Sequence, residues 1–150
     1  MSGYTERKQF MLHKAEKKTW DPDAKAIKSH PKTFEPPIPV LLPSNLTESQ
    51  LLDFVPFGNW LVNYTNNLDR QKTSDHTFHE HPYKLREIEV QAADWFKQEN
   101  KPDRLGFIKL QHSCHTEPYI NEEGKQAKDW LTGCAFLRGA SVAILVSNSS

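Results

Sequence analysis

Apolar positions are sparse and aperiodic before Ser44 and regular after Leu46. Six of the 10 prolines (Pro22, Pro31, Pro36, Pro37, Pro39 and Pro43) lie in the first stretch among lysine clusters. Residues 1–43 are therefore expected to be an extended or disordered tail, with the core drawn from residues 44–150. Thr47-Glu48-Ser49-Gln50 has the pattern of a capping box, the threonine hydroxyl accepting from a free backbone N–H and the glutamine reaching back. A short helix should follow, with Leu51, Leu52, Phe54 and Val55 as its apolar face and Pro56 as its end. Phe57, Trp60, Leu61, Tyr64 and Leu68 then recur at steps of three and four, the period of an amphipathic helix.

Beyond a polar, histidine-rich loop at 70–82, the period changes to two. Ile88, Val90 and Ala92 alternate with Glu87, Glu89 and Gln91, as in a half-buried strand closed by Trp95 and Phe96. Residues 98–103, with Pro102, read as a connection before a second strand carrying Leu105, Phe107, Ile108 and Leu110. Asn121-Glu122-Glu123-Gly124-Lys125 is a turn, since amide and acidic residues ahead of a glycine favour positive φ. A third strand is predicted over 130–137 and a fourth over 141–146. The fourth is apolar on both sides, Val142, Ile144 and Val146 on one and Ala143 and Leu145 on the other. Such a strand belongs inside a larger sheet, so either a partner pairs with its edge or the chain is incomplete as a fold. The predicted class is α+β, with short N-terminal helices followed by an antiparallel β-sheet.

Lys+Arg and Asp+Glu balance at 19 each, so the chain as a whole has no field that would collect a polyanion or an acidic membrane. Neither nucleic acid nor membrane is an expected partner; the basic run at Arg7, Lys8, Lys14, Lys17 and Lys18 is diluted by Glu6, Glu16, Asp21 and Asp23. The N-terminus carries no apolar signal region and no segment has the length of a bilayer span, which points to a cytoplasmic protein. Cys114 and Cys134 agree with that compartment as reduced, buried thiols rather than a disulfide framework.

His76, His79 and His81 form one cluster of potential ligands, and His112, Cys114 and His115 another. Their spacing fits no usual zinc pattern, and no metal site is expected from them. Cys114 also lies close to a base in sequence, but strand alternation puts His112 on its face and His115 on the opposite one. A small buried thiol is the simpler reading.

The order of several segments carries more information than any of these clusters. It runs through Pro39-Val40, the helix start at Leu46 to Gln50, Asn59-Trp60-Leu61, the strand with Ile88 and Val90, Gly106-Phe107-Ile108-Lys109-Leu110, and Phe136-Leu137-Arg138-Gly139-Ala140-Ser141-Val142-Ala143. In this order the chain resembles the N-terminal region of Nudix hydrolases, in particular those that cleave ADP-sugars and related nucleoside diphosphate sugars. The resemblance implies a nucleoside diphosphate sugar as substrate, a homodimer, and Mg²⁺ or Mn²⁺ as the metal of the full family. It also implies a diphosphate contact at Arg138, whose planar fork suits two parallel charge-assisted bonds, and a base-stacking ring at Trp130. An exposed strand-end arginine and a core tryptophan are the plainer readings of those residues. The box that holds the family's metal is absent. The only Arg-Glu pair is Arg86-Glu87, its metal-binding glutamate positions fall on Val90 and Gln91, and Ala93 stands where a glycine belongs. Hence no catalytic residue is assigned, no metal is expected to bind this chain tightly, and the chain is expected to bind substrate and dimerise without hydrolysing it. The alternative is a non-catalytic module that binds or dimerises through a β-edge.

Overall fold

The structure, a computed structural model, describes residues 7–139. Its elements are β1 (Lys8–Asp21), β2 (Ala26–Leu42), α1 (Glu48–Leu52), α2 (Val55–Asp69), a 3₁₀ turn (Arg70–Lys72), β3 (Lys84–Gln98), β4 (Lys101–His115), β5 (Tyr119–Ile120), β6 (Gln126–Ala127) and β7 (Trp130–Arg138). Five strands form one sheet in the order β1-β2-β3-β4-β7, and β5 and β6 form a separate small pair. Neighbours in the large sheet are antiparallel except β2 and β3, which run parallel and pair only at Val40 with Ile88 and Leu41 with Glu89. The class is α+β with an antiparallel-dominated sheet; the predicted strand over 141–146 lies outside the described residues.

The expected N-terminal tail is corrected. Most of residues 1–43 form the β1-β2 hairpin, and Leu12, Ala15, Phe34, Ile38, Val40 and Leu42 are buried in the same core as α2 and β3. The prolines argue less against a strand than their number suggests. Because β2 meets β3 at only two register pairs, most of that flank has no ladder to donate to, and a missing N–H costs little there. The apolar residues are few, but Ile38, Val40 and Leu42 alternate, and all face inward.

The local signals at the helices hold. Gln50 N donates to Thr47 Oγ1 at 3.2 Å and Thr47 N to Gln50 Oε1 at 2.9 Å, completing the capping box. Pro56 does not end α1, which stops at Leu52; it sits in the first turn of α2, where the N–H it lacks would have had no helical partner. The buried stripe of α2 is Phe57, Gly58, Leu61, Val62 and Thr65.

The predicted connection over 98–103 shrinks to Glu99 and Asn100, with Asn100 at φ 59°, a left-handed conformation that asparagine tolerates well. A bulge between Val90 and Ala92 changes the phase of β3, so Ala93 is buried and Ala92 exposed, the reverse of unbroken alternation. The turn at 121–125 forms as expected. Asn121 Oδ1 accepts from the N–H groups of Glu123 and Lys125, both at 3.0 Å, and Gly124 takes φ 77°.

The hairpin crosses the start of α2 so closely that a Cβ on Gly58 would collide with the backbone carbonyl oxygen of Glu16. In an open helix Gly→Ala stabilises by roughly 0.8–1 kcal/mol. Here Gly58→Ala is expected to destabilise, by about 1–3 kcal/mol, as overpacking against backbone does. Urea unfolding checks this, and a rise in the midpoint would show that the hairpin does not lie against α2.

Candidate functional site

Alternation along β4 divides the chemistry between its faces. Ile108, Leu110, His112 and Cys114 point into the core, while Phe107, Lys109, Gln111, Ser113 and His115 lie on the outer face. His112 packs against two rings of α2, Trp60 at 5.2 Å and Tyr64 at 4.6 Å between centroids. Its cross-strand partner is Gly133, where a Cβ would come within 2.7 Å of the imidazole, so a side chain there would displace the ring. Cys114 Sγ lies 3.3 Å from the Tyr64 hydroxyl.

Burial pushes the Cys114 thiol up and holds the Tyr64 hydroxyl well above its ordinary range, and the contact between them adds to the tyrosine's shift. Desolvation lowers His112, whose Nδ1 is buried with no hydrogen-bond partner. A thiol held neutral against a tyrosine hydroxyl, with a desolvated imidazole packed on the same ring, is a packing unit rather than a nucleophile and its base. His112 and Cys114 share the inward face as alternation predicts, and His115 is on the other. In the loop, His79 Nδ1 lies 3.1 Å from the Gln71 carbonyl oxygen, and the His81 ring stacks on Tyr119 at 3.7 Å. Among the described residues no three His, Cys, Asp or Glu side chains converge as metal ligands would.

Trp130 and Arg138 occupy opposite ends of β7 on its outer face. Trp130 is 60% exposed rather than in the core, with His115 at 4.6 Å and the Lys128 ammonium 5.5 Å from its ring. Arg138 is exposed and stands opposite Phe107. At ~3.3 Å per residue, eight residues of strand separate the two by roughly 26 Å. The structure therefore does not bring them together, and one nucleoside diphosphate cannot engage both within a protomer. What surrounds Arg138 instead is Phe107, Phe136 and Lys109, whose ammonium lies 5.8 Å from the Phe136 ring. Phe107, Lys109 and Phe136 escaped the sequence reading as site residues, although their strand parity with Arg138 would have grouped Phe136 with it.

A groove of about 570 Å³ opens where β2 and β3 diverge, between residues 32–39, the end of α2, and Tyr83 to Arg86. Gln71 closes one end. Its Nε2 donates to the carbonyls of Leu68 and Tyr83 at 2.8 and 3.1 Å, and its Oε1 accepts from Tyr83 N at 2.8 Å. Two cations of the groove are already engaged. Lys32 bonds Asp69 at 2.8 Å and Asn66 at 2.9 Å, and Arg86 bonds Glu117 at 2.8 Å and the His115 carbonyl at 3.2 Å. The Arg86 hydrogen bond and charge hold the Glu117 carboxyl below its usual range. The Arg86-Glu87 pair thus lies on a strand, with its arginine committed elsewhere. Sequence reading missed this groove because one wall comes from the segment expected to be a tail.

No protein-family model, no curated protein and no solved structure matches the chain.

The buried imidazole makes stability depend on pH. Folded His112 holds its proton less tightly than it would in the unfolded chain, where histidine titrates near ~6.5. Its contribution is complete above that value and is lost as pH falls through it, because the unfolded state then binds the extra proton. Unfolding free energy measured by denaturant between about pH 7.5 and 5 should fall. In His112→Phe the fall should be shallower; an identical slope in the variant would remove His112 as the source.

Proposed function

We propose that the face of β4 and β7 around Arg138 is the nucleotide-binding part of a Nudix-type nucleoside diphosphate sugar diphosphatase, acting as a cytoplasmic homodimer and not itself hydrolytic. The observation that carries this reading is the local set at Arg138. An exposed guanidinium, the Lys109 ammonium and the rings of Phe107 and Phe136 stand on adjacent, paired strands. Arginine offers a diphosphate two parallel charge-assisted bonds, and rings on a rigid sheet offer a base a stacking surface. Trp130 is too distant to share this ligand.

In the resembled family Mg²⁺ or Mn²⁺ polarises the diphosphate and helps to generate the attacking hydroxide. The residues here do not fit that ion. Of the positions matching the box glutamates, Val90 is fully buried in the core and Gln91 donates its amide to Gln111 at 2.8 Å. No hydrolytic step is derived for this chain.

A second reading, a non-catalytic module that pairs through a β-edge, is favoured by one observation. Among the described residues β7 is the last strand of the sheet, and Trp130, Leu131 and Phe136 on it are exposed. Sedimentation together with nucleotide titration separates the two: self-association by a chain that binds no ADP-ribose or ADP-glucose supports the module.

Calorimetric titration with ADP-ribose and ADP-glucose should detect binding, and Arg138→Gln should weaken it about tenfold or more, since hydrogen bonds to charged groups contribute roughly 1.5–3 kcal/mol. With Mg²⁺ or Mn²⁺ present, no AMP should be released. Equal affinity in Arg138→Gln, or metal-dependent AMP release that survives repeated purification, would contradict the proposal.

A further inference from the structure

Between Leu105 and His115 of β4, and along β7, the outer faces form a strip without carboxylates, flanked at its two ends by Asp103 and Asp129. From Leu105 to His115 and from Trp130 to Arg138 there is no Asp or Glu, although the chain as a whole balances its charges. The strip is cationic instead. Lys109 lies 5.8 Å from the Phe136 ring, Lys128 lies 5.5 Å from the Trp130 ring at the far end, and Arg138 is exposed beyond Phe136. Carboxylates resume on β3, at Glu87, Glu89 and Asp94, and bound the strip along one side.

The strip also carries exposed aromatic faces. Phe136 is 66% and Trp130 60% exposed. Six residues separate them, roughly 20 Å at ~3.3 Å per residue. Thr132 and Cys134 lie between them on β7, with Gln111 and Ser113 opposite on β4. A protein partner would want one contiguous apolar centre, and the polar side chains of Thr132, Gln111 and Ser113 divide it. A chain of bases and phosphates wants the reverse, separated π-faces joined by positive charge.

We propose that this strip binds single-stranded nucleic acid, with Trp130 and Phe136 stacking bases and Lys109, Lys128 and Arg138 neutralising phosphates. The length fits a site of about four nucleotides, the small end of such platforms. A duplex is excluded because its bases are stacked on one another and present no free face to the rings. The inference shares Lys109, Phe136 and Arg138 with the nucleotide-sugar reading but does not rest on it, since Trp130 and Lys128 lie outside the Arg138 end.

The test is fluorescence anisotropy of the full chain with labelled oligo-U and oligo-dT of about eight nucleotides, and with a duplex of the same length, over a salt series. Both single strands, or the RNA alone if the 2′-hydroxyl is read, should bind more tightly than the duplex. Three phosphate contacts predict a slope of log affinity against log salt of about −2, at ~0.7 per contact for single strands. Trp130→Ala and Phe136→Ala should each weaken binding roughly 5- to 100-fold, the loss expected for one stacked base. Trp20→Ala, at an exposed tryptophan on the β1-β2 hairpin, should not. Binding of neither oligomer, equal affinity for the duplex, or full affinity in both ring variants with their circular dichroism intact would overturn the proposal. Trp130→Ala should leave ADP-ribose titration unchanged. Absence of ADP-ribose binding by the unmodified chain, with oligonucleotide binding intact, counts against the nucleotide-sugar reading and not against this one.

Discussion

Everything else in the fold depends on a short parallel contact. Val40 and Leu41 of β2 meet Ile88 and Glu89 of β3, and among the described residues no further register pair joins the N-terminal hairpin to the β3-β4-β7 sheet. So brief a ladder cannot hold two long β-units together through hydrogen bonds alone. Side chains do most of it: Val40 and Ile88 are fully buried, and each such aliphatic residue contributes roughly 1.5–3 kcal/mol. Helix α2 bolts the joint from above. Its Asn59 accepts from Lys18 N of β1 at 2.6 Å, Gly58 admits the Glu16 carbonyl, and Trp60 and Tyr64 reach His112 on β4. Where the strands part beyond this contact, the groove beside Gln71 is the consequence.

The same alternation that closes the core assigns the chemistry. Inward residues of β4 are neutral and locked by packing, with His112 held between two rings and Gly133, and Cys114 against a tyrosine hydroxyl. The basic side chains Lys109 and Arg138 and the exposed rings of Trp130 and Phe136 lie on the outward face of β4 and β7. The outer face is therefore the one that would offer contacts to a polar or anionic ligand, on strands already fixed by pairing.

Local signals were legible in the sequence and long-range ones were not. The Thr47 and Gln50 capping box, the Asn121 to Gly124 turn, and the common face of His112 and Cys114 each depend on residues a few positions apart, and each appears as read. The β1-β2 hairpin depends on pairing such as Phe10 with Val40, thirty residues distant, and on the one-sided environment that lets β2 keep its prolines. The bulge that exposes Ala92 and buries Ala93 likewise follows from register with β4, which no short window contains. At the site, Arg138 as an exposed strand-end residue could be anticipated. The exposure of Trp130 and its distance from Arg138 could not, because they require knowing that β7 runs straight along β4 from His115 to Phe107.

The claim that the hairpin and the sheet are one cooperative unit is tested most directly by native-state hydrogen exchange. If the Val40–Ile88 joint and α2 unite them, protected amides of β1 and β2 should exchange with the same free energy and denaturant dependence as those of β3 and β4, namely those of global unfolding. Exchange of residues 8–42 at a distinctly lower free energy, while β3 and β4 remain protected, would show a hairpin that opens independently and would contradict the account.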